Sequence, residues 1–260
     1  MSNKMIVLGV LFLVGVSYGQ QQPVVDNITT FITPEYILPC KKADPELNTC
    51  LIGTFNHLRP YLVNGLTDLN VPSIDPLHIE RMLIENGHGA FRVRALFTNI
   101  TVTGASNYTI GRIKADVENY NIELGIKLPR IEIRGKYEVN GNVLLFPVRS
   151  KGNFWAVFLD VDALTRIYGK EVQNKNNVRF MKIERMLSDF KLGKSRFRVR
   201  DVVNSGNIIG EAINQFLNNN SDEIIREMKP AAAKAISQHF KAFLNSAFLQ
   251  IPLKIWLPDA

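Results

Sequence analysis

The spacing of apolar residues changes twice along this chain, and that pattern limits the available folds more than any single motif. Between Pro45 and Asn64, the residues Leu47, Leu51, Phe55, Leu58 and Leu62 recur at steps of three and four, which gives a helix one apolar stripe. Pro60 falls inside the stripe and is expected to kink or shorten the helix. Val71-Pro72-Ser73-Ile74-Asp75-Pro76 then breaks it and begins an extended region. From about Phe91 to Val202 the step is two, and after Ser205 the helical step returns and lasts to about Phe248. A short helix, then many long antiparallel strands, then long helices make an α+β fold rather than a series of βαβ units. The long apolar helix at the end needs cover, and a strongly curved sheet wrapping round it would supply that cover.

Within the strand region, Phe91, Val93, Ala95 and Phe97 share a face, and the apolar positions then shift to Ile100 and Val102. The shift predicts a bulge near Thr98. Tyr120, Ile122, Leu124, Ile126 and Leu128 alternate with polar residues, as a strand buried on one side does. Asn140-Gly141 predicts a two-residue hairpin turn, because both central positions of such a turn need positive φ. That turn would pair Val139 with Asn142, Tyr137 with Leu144, Gly135 with Phe146 and Ile133 with Val148, with Ile131, Ile133, Tyr137, Val139, Leu144, Phe146 and Val148 facing the interior. Asn153 to Val161 is apolar on both faces, so it is covered on both sides or lines a cavity. In the last helical region Ser221 is a candidate cap, Pro230 a candidate kink, and Ile251 to Pro258 reads as an extended apolar tail.

The first residues have the form of a signal peptide. Lys4 precedes an apolar run from Met5 to Val16, and Ser17-Tyr18-Gly19 offers small residues for cleavage after Gly19. The run is shorter than the roughly 20 residues a membrane span requires. The expected organisation is therefore a signal peptide over 1–19 and a single domain over 20–260. The chain is 46% apolar, enough for a sizeable core. Its net charge of +7 falls to +6 once Lys4 is lost. The densest basic stretch is Lys191, Lys194, Arg196, Arg198 and Arg200, where Phe197 and Val199 alternate with the arginines as on a strand with one wet face. The alternative reading of that stretch is a surface for an anionic membrane or a nucleic acid. The two cysteines, Cys40 and Cys50, suggest one disulfide rather than a metal site, two unpaired buried thiols being the alternative. Asn27, Asn99, Asn107 and Asn219 each begin an Asn-x-Ser/Thr glycosylation sequon.

Catalytic patterns are not evident. His57, His78, His88 and His239 form no His-Glu-x-x-His, and neither a Gly-x-Ser-x-Gly elbow nor a phosphate-binding glycine loop occurs. His78 and His88 with Asp75 match no standard metal spacing, so no metal and no cofactor is expected.

Taken in order, several of these pieces resemble the takeout and juvenile-hormone-binding proteins of insects. Cys40 and Cys50 with the helix after them are similar to that family's N-terminal disulfide. Val71 to Leu77 resembles its proline-bracketed approach to the first strand. Tyr137-Glu138-Val139-Asn140-Gly141, followed by Leu144-Leu145-Phe146-Pro147 and Lys151-Gly152, resembles its central hairpin. Asn214 to Asn220 and Lys229-Pro230 resemble the start of its C-terminal helix. Hormone carriers of the family in the strict sense have a second disulfide, and with two cysteines this chain is closer to the takeout branch. The resemblance implies a strongly curved antiparallel sheet wrapped around a long C-terminal helix and enclosing a hydrophobic tunnel, the architecture of the TULIP lipid-binding proteins. It implies a secreted, non-enzymatic monomer that carries a fatty acyl, terpenoid or juvenile-hormone-like ligand through haemolymph or another extracellular fluid. On that reading the tunnel-wall candidates are Tyr137, Leu144, Phe146, Phe154, Phe158, Phe216, Phe240 and Phe243. The partner is a small hydrophobic ligand, with no nucleic acid and no stable membrane insertion. A module that binds a membrane surface, a receptor or another extracellular partner without cargo is the alternative.

Overall fold

The computed structural model describes residues 33–143, 146–202 and 207–258. The expected signal segment, Asn27 and Leu144 lie outside the described residues. The N-terminal helical stripe forms two helices, α1 (Leu47–His57) and α2 (Arg59–Asn64), broken at Leu58 with Pro60 in the first turn of the second. A proline fits there because the first turn of a helix has no intrahelical partner for its N–H.

Seven strands follow: β1 (Leu77–Asn86), β2 (Phe91–Thr103), β3 (Thr109–Asp116), β4 (Asn121–Val143), β5 (Phe146–Gln173), β6 (Arg179–Lys191) and β7 (Lys194–Asp201). All pair antiparallel in one sheet. The long strands β4 and β5 form its spine, and each has two outer neighbours in succession. The first part of β4 pairs with β3 and its last part with β2, while the first part of β5 pairs with β7 and its last part with β6. Pro129 falls between the β3-paired and β2-paired parts of β4, where no outer ladder is present for a missing N–H to interrupt. The bulge expected near Thr98 is present, with the register shifting between Thr98 and Thr101 and Asn99 at φ 50°.

The turn expected at Asn140-Gly141 is not there. Both residues lie inside β4, paired with Arg94 and Val93 on one side and with Arg149 and Val148 on the other. The strand continues to Val143, which pairs with Phe146. Tyr137 therefore lies opposite Gly152, Gly135 opposite Phe154 and Ile133 opposite Ala156. The glycine serves close approach rather than a turn, because a Cβ on Gly141 would sit 2.2 Å from the Arg92 carbonyl oxygen. Ladders on both flanks outweigh the local turn preference. The regular alternation also begins earlier than expected, since β1 precedes Phe91.

After β7 come α3 (Asn207–Asn219), α4 (Ser221–Phe248) and α5 (Leu253–Trp256). The expected cap at Ser221 is displaced by one residue: Asn220 holds the cap position without a side-chain hydrogen bond, and Asp222 and Glu223 occupy the first turn. Helix α4 has 28 residues with Pro230 inside it, a length of about 42 Å. It packs against β1 and also against β6, strands separated in the sheet by β2, β4 and β5. A sheet that meets one helix near both of its margins is strongly curved.

Helical asparagines finish the sheet edges. Asn56 of α1 accepts from the Ile110 N–H of β3 at 2.9 Å and donates to the Ile110 carbonyl at 3.0 Å. Asn214 and Asn218 of α3 do the same for Val199 and Phe197 of β7, at 2.7 to 2.9 Å. Asn245 of α4 does so for Ile183 of β6, at 2.8 and 2.9 Å. A primary amide carries both the donor and the acceptor of a peptide group, so each asparagine replaces one residue of a missing strand and blunts an edge.

The largest core cluster lies at the β3 and β6 end. Leu51, Ile113, Ile122, Leu124, Ile167, Met181 and Ile183 meet Leu253, Ile255, Trp256 and Leu257 there. The tail expected to be extended is thus a short buried helix. It is anchored where the Cys40 N–H donates to the Trp256 carbonyl (3.0 Å) and the Lys42 N–H to the Pro258 carbonyl (3.1 Å). A Cys40–Cys50 disulfide ties this segment to α1.

Candidate functional site

The other end of the sheet, where β2, β4, β5 and β7 run side by side, has a different character. Register places Ile131, Ile133, Gly135, Tyr137 and Val139 of β4 on one face with Phe154, Ala156 and Phe158 of β5, and with Phe97 of β2 and Phe197 of β7. Helix α4 lies on this face, because Phe240 packs with Phe97, Val102 and Ile133 around the small core of Leu77, Ile79 and Ile100. The opposite face carries Arg134, Lys136, Arg196 and Arg198, all exposed.

The aromatic side chains on the α4 side meet edge to face. Phe97 and Phe154 have ring centres 5.0 Å apart, Phe158 and Phe197 5.8 Å, and Phe240 and Phe243 6.0 Å. These six rings are half-buried, in contrast to the fully buried Leu51, Met181 and Ile183 of the main core.

Tyr137 is the buried polar group among them, at 6% exposure. Its hydroxyl lies 2.7 Å from Ser150 Oγ, and Ser150 donates to Asp201 Oδ2 at 2.8 Å. A serine hydroxyl has one proton, so with that proton on the Asp201 bond Tyr137 is the donor to Ser150. Burial pushes the Tyr137 phenol above its ordinary pKa, against the lowering effect of the Ser150 hydrogen bond. The Tyr137 hydroxyl thus has its hydrogen-bond partner within the protein.

Of the expected wall residues, the structure gathers Tyr137, Phe154, Phe158 and Phe240 on this side, while Phe243 packs against the main core and meets the site through Phe240. Phe146 is 71% exposed at the start of β5, opposite Val143, because β4 runs on through Asn140-Gly141 instead of turning there. Phe216 is 39% exposed, on the face of α3 turned away from Asn214 and Asn218. Sequence reasoning left Phe97, Phe197, Ser150 and Asp201 out of the site. Alternation with Arg196 and Arg198 was a usable signal for Phe197, and the shared face of Phe91 to Phe97 was one for Phe97. Ser150 had no such signal, since its place depended on a register that the misplaced turn obscured.

The imagined histidine site does not assemble. Asp75 instead accepts from the Gly104 N–H with both oxygens at 3.1 Å, from the Ser106 N–H at 3.2 Å and from the Ser106 hydroxyl at 2.5 Å. Burial works to raise its pKa, but these hydrogen bonds outweigh it and hold the carboxyl below the ordinary value. His57 contacts the Glu35 carbonyl and lies against Tyr61 with its ring tilted by 54°, while burial lowers the pKa of His239 beside Phe240. Among the described residues, no group of three metal-ligating side chains forms, and no helix is long and apolar enough to cross a membrane.

Residues 11–258 match the model of the haemolymph juvenile hormone binding protein family. The chain belongs to that family. Over 221 residues it is 21% identical to the circadian clock-controlled protein daywake of Drosophila yakuba, covering 82% of this chain and 85% of that protein. The Drosophila melanogaster daywake is 21% identical over 224 residues with the same coverage. The crystal structure of Epiphyas postvittana Takeout 1 superposes with a TM-score of 0.70 at 17% identity, covering 83% of this chain and 96% of that one. The haemolymph hormone-binding family thus supplies the frame for the curved sheet and its long helix, with takeout-like proteins among the relatives.

Proposed function

We propose that this protein is a secreted carrier that holds one hydrophobic molecule between the curved sheet and α4. The observation that carries the reading is the half-buried aromatic lining formed by Phe97, Phe154, Phe158, Phe197 and Phe240. Apolar rings on the helix side of a sheet whose other face is charged would bury their remaining surface against a guest. Family membership supports the same reading. The driving force would be burial of hydrocarbon, about 0.8 kcal/mol per CH₂. A chain of about 15 carbons gives roughly 12 kcal/mol gross, and association costs at least about 4 kcal/mol. The remainder, about 8 kcal/mol, corresponds to a micromolar Kd. A fatty acyl or terpenoid chain would be held without sharp discrimination of length. Our candidate for the group that would meet the guest's one polar end is the Tyr137–Ser150–Asp201 chain, through an acceptor oxygen that its internal hydrogen bonds leave over.

The test is native purification, solvent extraction and mass spectrometry of what is released. A stoichiometric lipid, fatty acid or terpenoid is expected. Protein that emerges empty and takes up no fluorescent fatty acid would sink the proposal. Val139→Trp adds bulk to the same face and is expected to cut uptake of that probe at least about tenfold, at a stability cost of about 1–3 kcal/mol.

A further inference from the structure

Strand pairing sets two files of cations on the outer face of the sheet, with β5 between them. On β7 they are Lys194, Arg196, Arg198 and Arg200, at every second residue and so about 7 Å apart. All four are exposed, and none of their side chains has a hydrogen-bond or ion-pair partner among the described residues. On β4 they are Arg130, Arg134 and Lys136, which register places across β5 from Lys194, Arg198 and Arg200. Glu132 interrupts this second file, but Arg130 and Arg134 hold it at 2.6 Å and it accepts the Trp155 indole N–H. Between the files, Asn153, Trp155, Val157 and Leu159 of β5 make an uncharged floor. The files are two strand spacings apart, about 9.5 Å. Around Trp155 this trough deepens into a groove of about 670 Å³, lined also by Thr101, Arg134, Lys136, Asn153 and Arg198.

The nearest acidic groups do not cancel the charge. Asp160 lies against Gly193 beside Lys194, and Glu211 stands one turn of α3 before the Asn214 that meets Val199. Asp201 turns to the inner face, where it accepts from Ser150. With these three and Glu132 counted, the seven cations keep a surplus of three. Glu138, in the next row, is matched by Lys151 at 3.6 Å.

Two positive files over a neutral floor suit one anionic chain lying along the strands, with charges on both of its edges. A bilayer is a plane and would leave the floor unfilled, and Val202, just beyond Arg200, is the one exposed large apolar side chain at that end of β7 among the described residues. A single-stranded nucleic acid needs a succession of aromatic platforms for its bases, and the floor offers Trp155 alone. A polysaccharide needs an indole against the apolar face of a ring, amide and hydroxyl groups for its hydroxyls, and cations for its sulfates.

We infer that the trough over β5 binds a sulfated polysaccharide, its chain running over Trp155 with sulfates against Arg196, Arg198 and Arg200 on one side and Lys136 on the other. The site lies on the opposite face of the sheet from the proposed guest and does not depend on the carrier reading.

The experiment titrates the full chain with size-defined heparin oligosaccharides and follows tryptophan emission. Trp256 is buried in the main core, so a change reports Trp155. Asn99 borders the groove and begins a sequon, so the protein is first treated with a glycosidase. Binding that weakens as salt rises is expected, and four contacts give a slope of log K against log salt of about −3. Arg196→Gln, Arg198→Gln and Arg200→Gln should each weaken binding about fourfold at physiological salt and flatten that slope by about 0.7. Lys175→Gln, which removes an exposed cation from the turn between β5 and β6, should change neither. All four side chains are exposed, so circular dichroism should report an unchanged fold in each variant. Absence of binding at low salt would overturn the inference, as would arginine variants that bind like the parent or an equal loss in Lys175→Gln. Tighter binding at the same salt to oligodeoxythymidylate or to phosphatidylserine vesicles would assign the face to a nucleic acid or a bilayer and overturn it too.

Discussion

Asn245 gives both ends of its amide to Ile183, whose own side chain is almost wholly buried. Asn245→Ala would leave a backbone N–H and carbonyl without partners where water enters poorly. The expected loss is about 1–3 kcal/mol, read from a chemical denaturation midpoint. Asp75 sets a second residue-scale expectation. Its folded pKa is depressed, so its contribution is complete above the ordinary aspartate value of 3.8 and is lost as pH falls through the lowered one. Asp75→Asn should therefore destabilise the protein at neutral pH, and the gap from the parent protein should close toward about pH 2 in urea titrations. At this scale the sequence was informative about identity but not about partners. Tyr137 could be named as an inward-facing wall candidate, yet Ser150 could not be found, because a side-chain hydrogen bond depends on register.

At the scale of elements, the disulfide and the tail act together. The Cys40–Cys50 bridge fixes the segment whose backbone meets Trp256 and Pro258, so the first and last described segments close one end of the sheet. Replacing both cysteines by serine should cost about 2–3 kcal/mol, measured by thermal unfolding under non-reducing conditions. Much of the element pattern could be read directly from periodicity. The helix broken near Pro60, the bulge by Thr98, the strands through Ile122 and Phe158, and the long helix after Ser205 all follow from local spacing. The failures have one physical origin. Asn140-Gly141 was read by its intrinsic turn preference, whereas in the fold two neighbouring strands hold it extended. The tail was read as extended because its prolines hide a single helical turn that exists only when buried.

Over the whole molecule, packing divides the sheet into a dense end around Leu51, Met181 and Leu253 and a looser end around Phe154 and Phe240. Hydrogen exchange should follow that division, with amides of β3 and the second part of β5 protected far longer than those near Val139 and Ser150. A bound guest should slow exchange at the looser end first. At 100 times its Kd it should raise stability by about 2.7 kcal/mol. Uniform protection of both ends in the empty protein would contradict the division. The asparagine-finished edges also bear on how such a protein ages. Hydrolysis of the Asn214, Asn218 or Asn245 amide would leave a carboxylate facing a backbone carbonyl, with repulsion where a donor had been. Two of the seams between helix and sheet are therefore places where a slow covalent change would register as loosening, so a long-lived molecule would carry a chemical record of its age in the docking of α3 and α4.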